Sequence, residues 1–253
     1  MKISAVIICF NEEKNIADAV ESVRWADEIV VVDSESTDRT REIASELGAR
    51  VLVRAWTGFA PQKEFAVRSA SNDWVFSLDA DERVSPELLK EIIAIRERGP
   101  QADAFRIPRL SIYLGRAIRH GGWYPDRQLR LFDRRKGCWK DVIVHESVEL
   151  DAGSIIADLS GELIHYSVGD VAHHHRMIGE RYAPLAAEKL YSEGRTTSLF
   201  HIAAAGPASF VRSYLLKMGF LDGVPGLAVA AFAGYNSFLK HLLLWEKQNR
   251  PGP

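Results

Sequence analysis

The first ten residues constrain the chain most. Ile3–Phe10 reads ISAVIICF, a continuous apolar and β-branched run that stops abruptly at Asn11-Glu12-Glu13-Lys14. A strand apolar on both faces must be covered on both, which points to an inner strand of a parallel sheet rather than to a half-solvated antiparallel one. The run is too short for the core of a signal peptide and lacks a small-residue cleavage site. The alternation then repeats. Glu12–Trp25 carries Ile16, Ala19, Val20 and Val23 at helical spacing, and Glu28–Val32 (EIVVV) is a second apolar strand ending at Asp33. Thr37–Leu47 reads as a helix, capped by Ser36 or Thr37 and followed by Gly48. Arg50–Val53 is a third short strand.

After a loop with Gly58 and Pro61, Gln62–Ala70 looks helical and Asp73–Leu78 (DWVFSL) forms a strand running into Asp79-Ala80-Asp81. Ser85-Pro86-Glu87 opens a helix to about Arg98, with serine at the cap, proline in the first turn and an acid beside it. Short apolar strands joined by helical crossovers predict a mainly parallel, doubly wound α/β sheet. Ligands of such sheets sit outside the carboxyl ends of the strands. Here those ends fall on Asn11-Glu12, Asp33 and Asp79–Asp81, polar or acidic at every one. From Ala104 to Tyr166 the pattern shortens to strands and loops (AFRIP, QLRLF, VIVHE, IIADL, LIHYS). From Gly169 onward it is helical, over Val171–Gly194, Pro207–Leu221 and Pro225–Lys247. The expectation is a catalytic domain over 1–167 followed by a helical segment over 168–253.

Composition adds limits rather than direction. The chain's 253 residues, 47% hydrophobic, can bury a full core. A formal charge of -2 makes no electrostatic case for a nucleic-acid partner. Cys9 lies inside the first strand, so a disulfide with Cys138 is not expected and a reducing compartment suits the chain. No uncharged stretch reaches the length of a spanning helix; Gly223–Leu239 comes nearest.

Two carboxylates two residues apart, just past a buried strand, can converge on a hard divalent cation such as Mg2+ or Mn2+, which also accepts phosphate oxygens. Standing alone, Asp79-Ala80-Asp81 reads as readily as solvated acids before a helix, with Glu82 an ordinary charge there. The segments around it decide. SAVIICFNEEKNI (Ser4–Ile16), VVVDSESTDRT (Val30–Thr40), PQKEFAV (Pro61–Val67) and WVFSLDADERVSPEL (Trp74–Leu88) resemble, in order, family 2 glycosyltransferases of the GT-A, Rossmann-like fold. VHE (Val144–Glu146), IHYS (Ile164–Ser167), GFLDGVPGLAVAAF (Gly219–Phe232) and FLKHLLLWE (Phe238–Glu246) resemble the membrane-associated branch with the lipopolysaccharide core glucosyltransferases. Glu35 departs from the family pattern, which has glycine at that turn.

The resemblance implies a role for each position. Asn11 and Glu12 would line a uridine pocket, and Asp33 would accept the imide N–H of the base. Asp79 would face the ribose or the metal, Asp81 would bind the cation and with it the diphosphate, and Lys63 would offset phosphate charge. His165 is a further metal ligand on this reading, or else a satisfied structural histidine. Inverting transfer also needs a base for the acceptor hydroxyl. Glu146, after a short apolar strand and beyond the donor half, is the candidate, with Asp126 and Asp141 as weaker rivals. His173-His174-His175 is not expected to bind metal, because adjacent residues of a helix point three ways.

The middle of the chain is crowded with cations: Arg106, Arg109, Arg116, Arg119, Arg127, Arg130, Arg134, Arg135, Lys136 and Lys140, interleaved with Tyr113, Trp123, Tyr124 and Trp139. Such a set suits a phosphorylated glycan or glycolipid acceptor, and equally suits solvated strand faces. The apolar C-terminal helices carry Arg212, Lys217, Lys240 and Lys247, which fits a membrane interface or burial in a homo-oligomer. The combined expectation is an inverting, Mg2+- or Mn2+-dependent enzyme. It would move glucose from a UDP-sugar to a lipopolysaccharide-core or related envelope glycan, peripherally on the cytoplasmic face of the inner membrane. A polyprenyl-phosphate glycosyltransferase and a non-catalytic sugar-nucleotide or membrane-binding scaffold are the alternatives.

Overall fold

The strand over Ile3–Cys9 (β1) is buried at all seven residues, and alternation explains why a continuous apolar run is required. Ile3, Ala5, Ile7 and Cys9 face one core, while Val6 and Ile8 face a second on the opposite side of the sheet. The protein is described by a computed structural model covering residues 1–140 and 147–249. β1 pairs in parallel with Glu28–Asp33 (β2) and with Trp74–Asp79 (β4), and β2 pairs in parallel with Arg50–Val53 (β3). Helices Ile16–Ser22 (α1), Thr40–Glu46 (α2), Phe59–Ser69 (α3) and Pro86–Arg98 (α4) complete the alternation. In α4 the Ser85 hydroxyl accepts from the Leu88 amide, the cap that the sequence predicts. The first two helices begin later than expected, because the residues ahead of them are held in the strand-end loops described below.

Past β4 the sheet turns antiparallel. The short strand Glu82–Val84 (β5) follows the acidic turn, and Asp126–Asp133 (β8) runs antiparallel to β4 on one side and to Ala104–Tyr113 (β6) on the other. Arg116–Ala117 (β7) folds back on β6, Gly137–Lys140 (β9) pairs with Ser147–Leu150 (β10), and Ile156–Asp158 (β11) lies parallel to β6. Leu163–Val168 (β12) pairs antiparallel with β5, setting His165 against Glu82.

The chain forms two compact units, Met1–Arg109 with Asp126–His165, and Leu110–Pro125 with Tyr166–Pro253. The expected division at residue 167 places the stretch Leu110–Pro125 in the first domain. It belongs with the helices instead, because its apolar side chains Tyr113, Ile118 and Trp123 pack with Val168 and Val229. In this second unit, Val171–Arg176 (α5) passes through a π-helical turn into Ala183–Ser192 (α6). Leu199–Val211 (α7) and Gly223–Asn249 (α8) follow. A helix starting at Pro207 is the expectation; Pro207 instead lies inside α7, whose start is set at Ser198 by its hydroxyl accepting from the His201 amide. The apolar packing of α7 against α8 outweighs the missing N–H. The two helices touch backbone to backbone, since a Cβ built on Gly234 would lie 3.0 Å from the Gly206 carbonyl oxygen.

The three adjacent histidines take three different partners. His173 Nδ1 accepts from the Gly169 amide, His175 stacks on Tyr235, and His174 Nδ1 meets the Tyr113 hydroxyl at 3.1 Å in an apolar setting beside Phe232 and Trp123. Burial, with a smaller contribution from His173, lowers the His174 imidazole from 6.5 to about 4. The unfolded chain therefore takes up this proton at higher pH than the folded one. Stability from this residue is complete above about pH 6.5 and drains away as pH falls toward 4. Urea midpoints at pH 7 and pH 5 should differ by on the order of 2 kcal/mol from this group. His174→Phe, which keeps a ring beside Phe232, should flatten that slope. Equal slopes in the two proteins would show that His174 does not set it.

Candidate active site

The ends of β1 and β2 are stapled together by short polar side chains. Asn11 sits in the left-handed region at φ +54 and presents its side-chain carbonyl to the Thr37 amide at 2.9 Å. Its own amide donates to the Ser36 hydroxyl at 2.8 Å, and the Glu12 amide donates to Thr40 Oγ1 at 2.8 Å. Asp33, fully buried, accepts from the Ser36 amide at 2.9 Å and from the Ser36 hydroxyl, with Cys9 Sγ beside it. Burial raises the Glu12 carboxyl above its ordinary range, partly opposed by a bond from Asn15 Nδ2. Glu35 adopts φ +64, the conformation glycine takes at low cost, so the departure from the family pattern alters the residue and keeps the turn. Of the residues expected at the uridine, Asn11 is exposed and Glu12 half-buried, whereas the Asp33 carboxylate is spent inside the loop.

The acidic turn after β4 gives its two aspartates different partners. Asp79, its side chain 22% exposed, is clamped by two cations: Arg130 Nη2 at 2.7 Å and Lys63 Nζ at 3.0 Å. Burial alone would push its carboxyl up; Arg130 and Lys63 outweigh that and hold it well below the usual carboxylate range. Glu82, with no exposed surface, accepts from the Asp79 amide at 3.0 Å and from Arg130 Nη2 at 2.6 Å. Arg109 Nη1 also approaches Glu82 at 3.4 Å and binds Asp126 through Nε and Nη2. Three cations thus answer three carboxylates, and Lys63 additionally lies 4.8 Å from the centre of the Trp139 ring. Arg83 ties the same turn to the first loop, donating to the Ala80 carbonyl at 2.9 Å and the Asn15 carbonyl at 2.7 Å.

Asp81 is left on the outer side of this lattice. The β5–β12 register brings His165 opposite Glu82, and its Nε2 stands 3.3 Å from Asp81 Oδ2. Both side chains are partly open to solvent, at 12% and 25% exposure. Carboxylate oxygen plus imidazole nitrogen is a donor set that Mn2+ accepts. Among the described residues no three His, Cys, Asp or Glu side chains gather as a metal cluster. A cation held here would therefore draw its remaining ligands from phosphate oxygens and water, the usual arrangement for hard cations at nucleotide sites. His165 Nδ1 is buried and has no hydrogen-bond partner among the described residues.

Several sequence expectations change here. Asp79 and Lys63 pair with each other at 3.0 Å, whereas the sequence expectation sets one at the ribose or metal and the other at phosphate. Most of the cations expected at an acceptor phosphate are already engaged. Arg130 is 2% exposed, Arg134 Nη1 donates to the Val67 and Ala70 carbonyls, and Arg135 binds Asp133 and Asp73. Lys136 binds Asp103, Lys140 binds Glu149, and Arg106 and Arg127 bind Asp158. Asp126, a rival base, is neutralised by Arg109. Glu146 and Asp141 lie outside the described residues. Glu82 and Arg130 form a buried pair at the turn that sequence reasoning missed. The available signal was an arginine on an apolar strand, between Leu129 and Leu131.

Comparison with known proteins places the chain in a family. The model of Glycosyl transferase family 2 matches residues 4–147. An uncharacterised glycosyltransferase of Rickettsia typhi is 32% identical, the match covering 94% of this chain and 85% of that protein. The lipopolysaccharide core biosynthesis glycosyltransferase LpsC of Rhizobium meliloti is 29% identical over 96% of this chain and 94% of its own length. Among solved structures, glucosyl-3-phosphoglycerate synthase from Mycobacterium tuberculosis, in complex with Mn2+, UDP and glucosyl-3-phosphoglycerate, aligns with a TM-score of 0.50. The alignment is 17% identical and covers 78% of this chain and 81% of that one, a likeness of fold.

Proposed function

The chain belongs to Glycosyl transferase family 2, and from that premise we propose that it transfers glucose from UDP-glucose, with inversion, to a lipopolysaccharide-core or related envelope glycan. The observation that carries the reading is the outward-facing Asp81–His165 pair, set on a turn whose other acids are locked into ion pairs. Asp81 and His165 would hold Mg2+ or Mn2+, which when bound offsets the negative charge that builds on the departing diphosphate. Asn11 and Glu12 line the uridine site on this reading, and Asp33 shapes its floor by holding the Ser36 turn. Asp79 and Lys63 act by position, keeping the Asp81 backbone at the strand end. Glu146 takes the proton from the acceptor hydroxyl, on the side away from the leaving group. The relation to LpsC supports the acceptor class, and the cytoplasmic face of the inner membrane is the place this reading gives the enzyme.

Thermal unfolding against a panel of nucleotide-sugars tests the donor. A ligand that binds only the native state at about 100 times its Kd adds ~2.7 kcal/mol, which for a chain of this size raises Tm by roughly 5–10 °C. UDP-glucose with Mn2+ should give a shift of this order, and EDTA should reduce it. Protection by purine-nucleotide sugars alone would remove the uridine roles of Asn11, Glu12 and Asp33.

A further inference from the structure

From Thr196 to Trp245 the chain carries one acidic residue, Asp222, and that residue is 3% exposed. Its carboxylate is turned inward, accepting from the Arg119 and His120 amides at 3.1 and 2.8 Å and meeting His120 Nδ1 at 2.8 Å. The turn between α7 and α8 that contains it is closely built. Met218 takes the left-handed conformation at φ +53. A Cβ on Gly226 would fall 1.9 Å from the Gly219 carbonyl oxygen, so only glycine permits the approach. Ser213 Oγ donates to the Gly121 carbonyl at 2.9 Å from the other side.

This rigid turn holds large apolar side chains outward. Leu216 is 76% and Val224 74% exposed, and Leu215, Met218, Phe220 and Leu221 are exposed beside them. The exposed charges interleaved with them, Arg212 and Lys217, are both positive. A contiguous apolar surface of this kind marks an interaction site, and the charge pattern selects among occupants. A twofold contact between two copies of this chain, centred on the turn, would bring each cation toward its own counterpart with no exposed acid to answer it. An anionic lipid leaflet supplies both an apolar interior for the leucines and phenylalanine and a negative layer for Arg212 and Lys217.

We propose that the turn Leu215–Val224 is a membrane-inserting wedge that seats the protein on an anionic lipid surface. The wedge enters the interface; it does not cross. The helix over Gly219–Asn249 has, by length and composition, the reach of a span, more than the sequence expectation allowed. Its beginning is pinned to the rest of its unit by the Asp222 bonds and the Gly226 contact, and its middle by the Gly206–Gly234 contact. The inference concerns this unit alone and is independent of the donor chemistry.

Flotation of the full chain with vesicles tests it. The protein should float with phosphatidylcholine vesicles containing phosphatidylglycerol, more weakly as salt rises, and poorly with phosphatidylcholine alone. The double change Leu216→Glu/Phe220→Glu should weaken binding by about 10-fold or more. Arg212→Glu/Lys217→Glu should abolish the preference for anionic vesicles. All four side chains are exposed, so circular dichroism and UDP-sugar hydrolysis in solution should match the parent, which keeps failure here distinct from failure of the donor reading. Leu216→Trp should show blue-shifted emission on binding and quenching by brominated acyl chains. Parent-like flotation of both double variants would overturn the wedge. So would retention of the protein on vesicles after carbonate washing, which marks a spanning helix, or loss of a dimer with flotation unchanged, which marks a contact between copies.

Discussion

Asp81→Ala should lower Mn2+-supported release of UDP from UDP-glucose by at least about 10^2-fold, while leaving the unfolding midpoint close to the parent's. The magnitude follows from what the residue faces. Charge on a departing diphosphate is stabilised only by groups aimed at it, and Asp81 is the carboxylate of its turn that is not consumed by a cation. The small stability cost follows from its surroundings. Asp81 is a quarter exposed and stands 3.3 Å from His165 Nε2, and removing a partly exposed contact of this kind is worth at most about 1 kcal/mol. Asp79→Ala should show the opposite balance. It removes the carboxylate shared by Lys63 and Arg130, at 3% and 2% exposure, and leaves Arg130 with Glu82, so unfolding should move and activity should fall with it. Steady-state turnover and denaturant midpoints, measured on both variants, separate the two roles. An Asp81→Ala enzyme within a few-fold of the parent would remove Asp81 from the site.

That division between Asp79 and Asp81 marks the limit of what was legible in the residues. The parallel core was, because the buried strands must be apolar on both faces and each ends where its run ends. Ser85-Pro86 announced its helix for the same local reason. Glu35 stood out against a glycine pattern, and its positive φ shows that the turn demands that conformation whichever residue occupies it. The pairing of Asp79 with Arg130, 51 positions away, was not legible. It depends on β8 inserting antiparallel beside β4, and nothing local to QLRLF distinguishes an arginine aimed at solvent from one aimed at a buried acid. Ten cations in the middle of the chain therefore read as one basic surface, while most of them meet acids, several brought close by the sheet. Glu82 was misplaced for the related reason that it begins β5 rather than decorating the helix after it. Pro207 and the stretch Leu110–Pro125 differ from expectation for another reason. In both, packing in the helical unit overrode a local rule.

Arg130→Met should cost on the order of 3–5 kcal/mol, the largest stability loss expected of any single change in the first unit. The side chain lies 2% exposed, and one nitrogen, Nη2, reaches both Asp79 at 2.7 Å and Glu82 at 2.6 Å. Methionine fills much of the volume and answers neither carboxylate. Glu82 then keeps the Asp79 amide and, as a cation, Arg109 at 3.4 Å, and Asp79 keeps Lys63. Arg130→Lys should recover part of the loss, since an ammonium supplies the charge without the fork that bridges two acids. Combining Arg130→Met with Glu82→Gln removes one cation and one anion together. The pair should therefore be less destabilising than the sum of the single changes, by about 1–3 kcal/mol of coupling. Urea midpoints for the four proteins of this cycle give the number directly. Activity should decline with Arg130→Met even though Arg130 meets no substrate, because the Asp79 amide bonds Glu82 and this bond shapes the turn that presents Asp81. A loss below about 1 kcal/mol, with additive single and double changes, would mean that the acids find water instead and that the lattice does not build the turn.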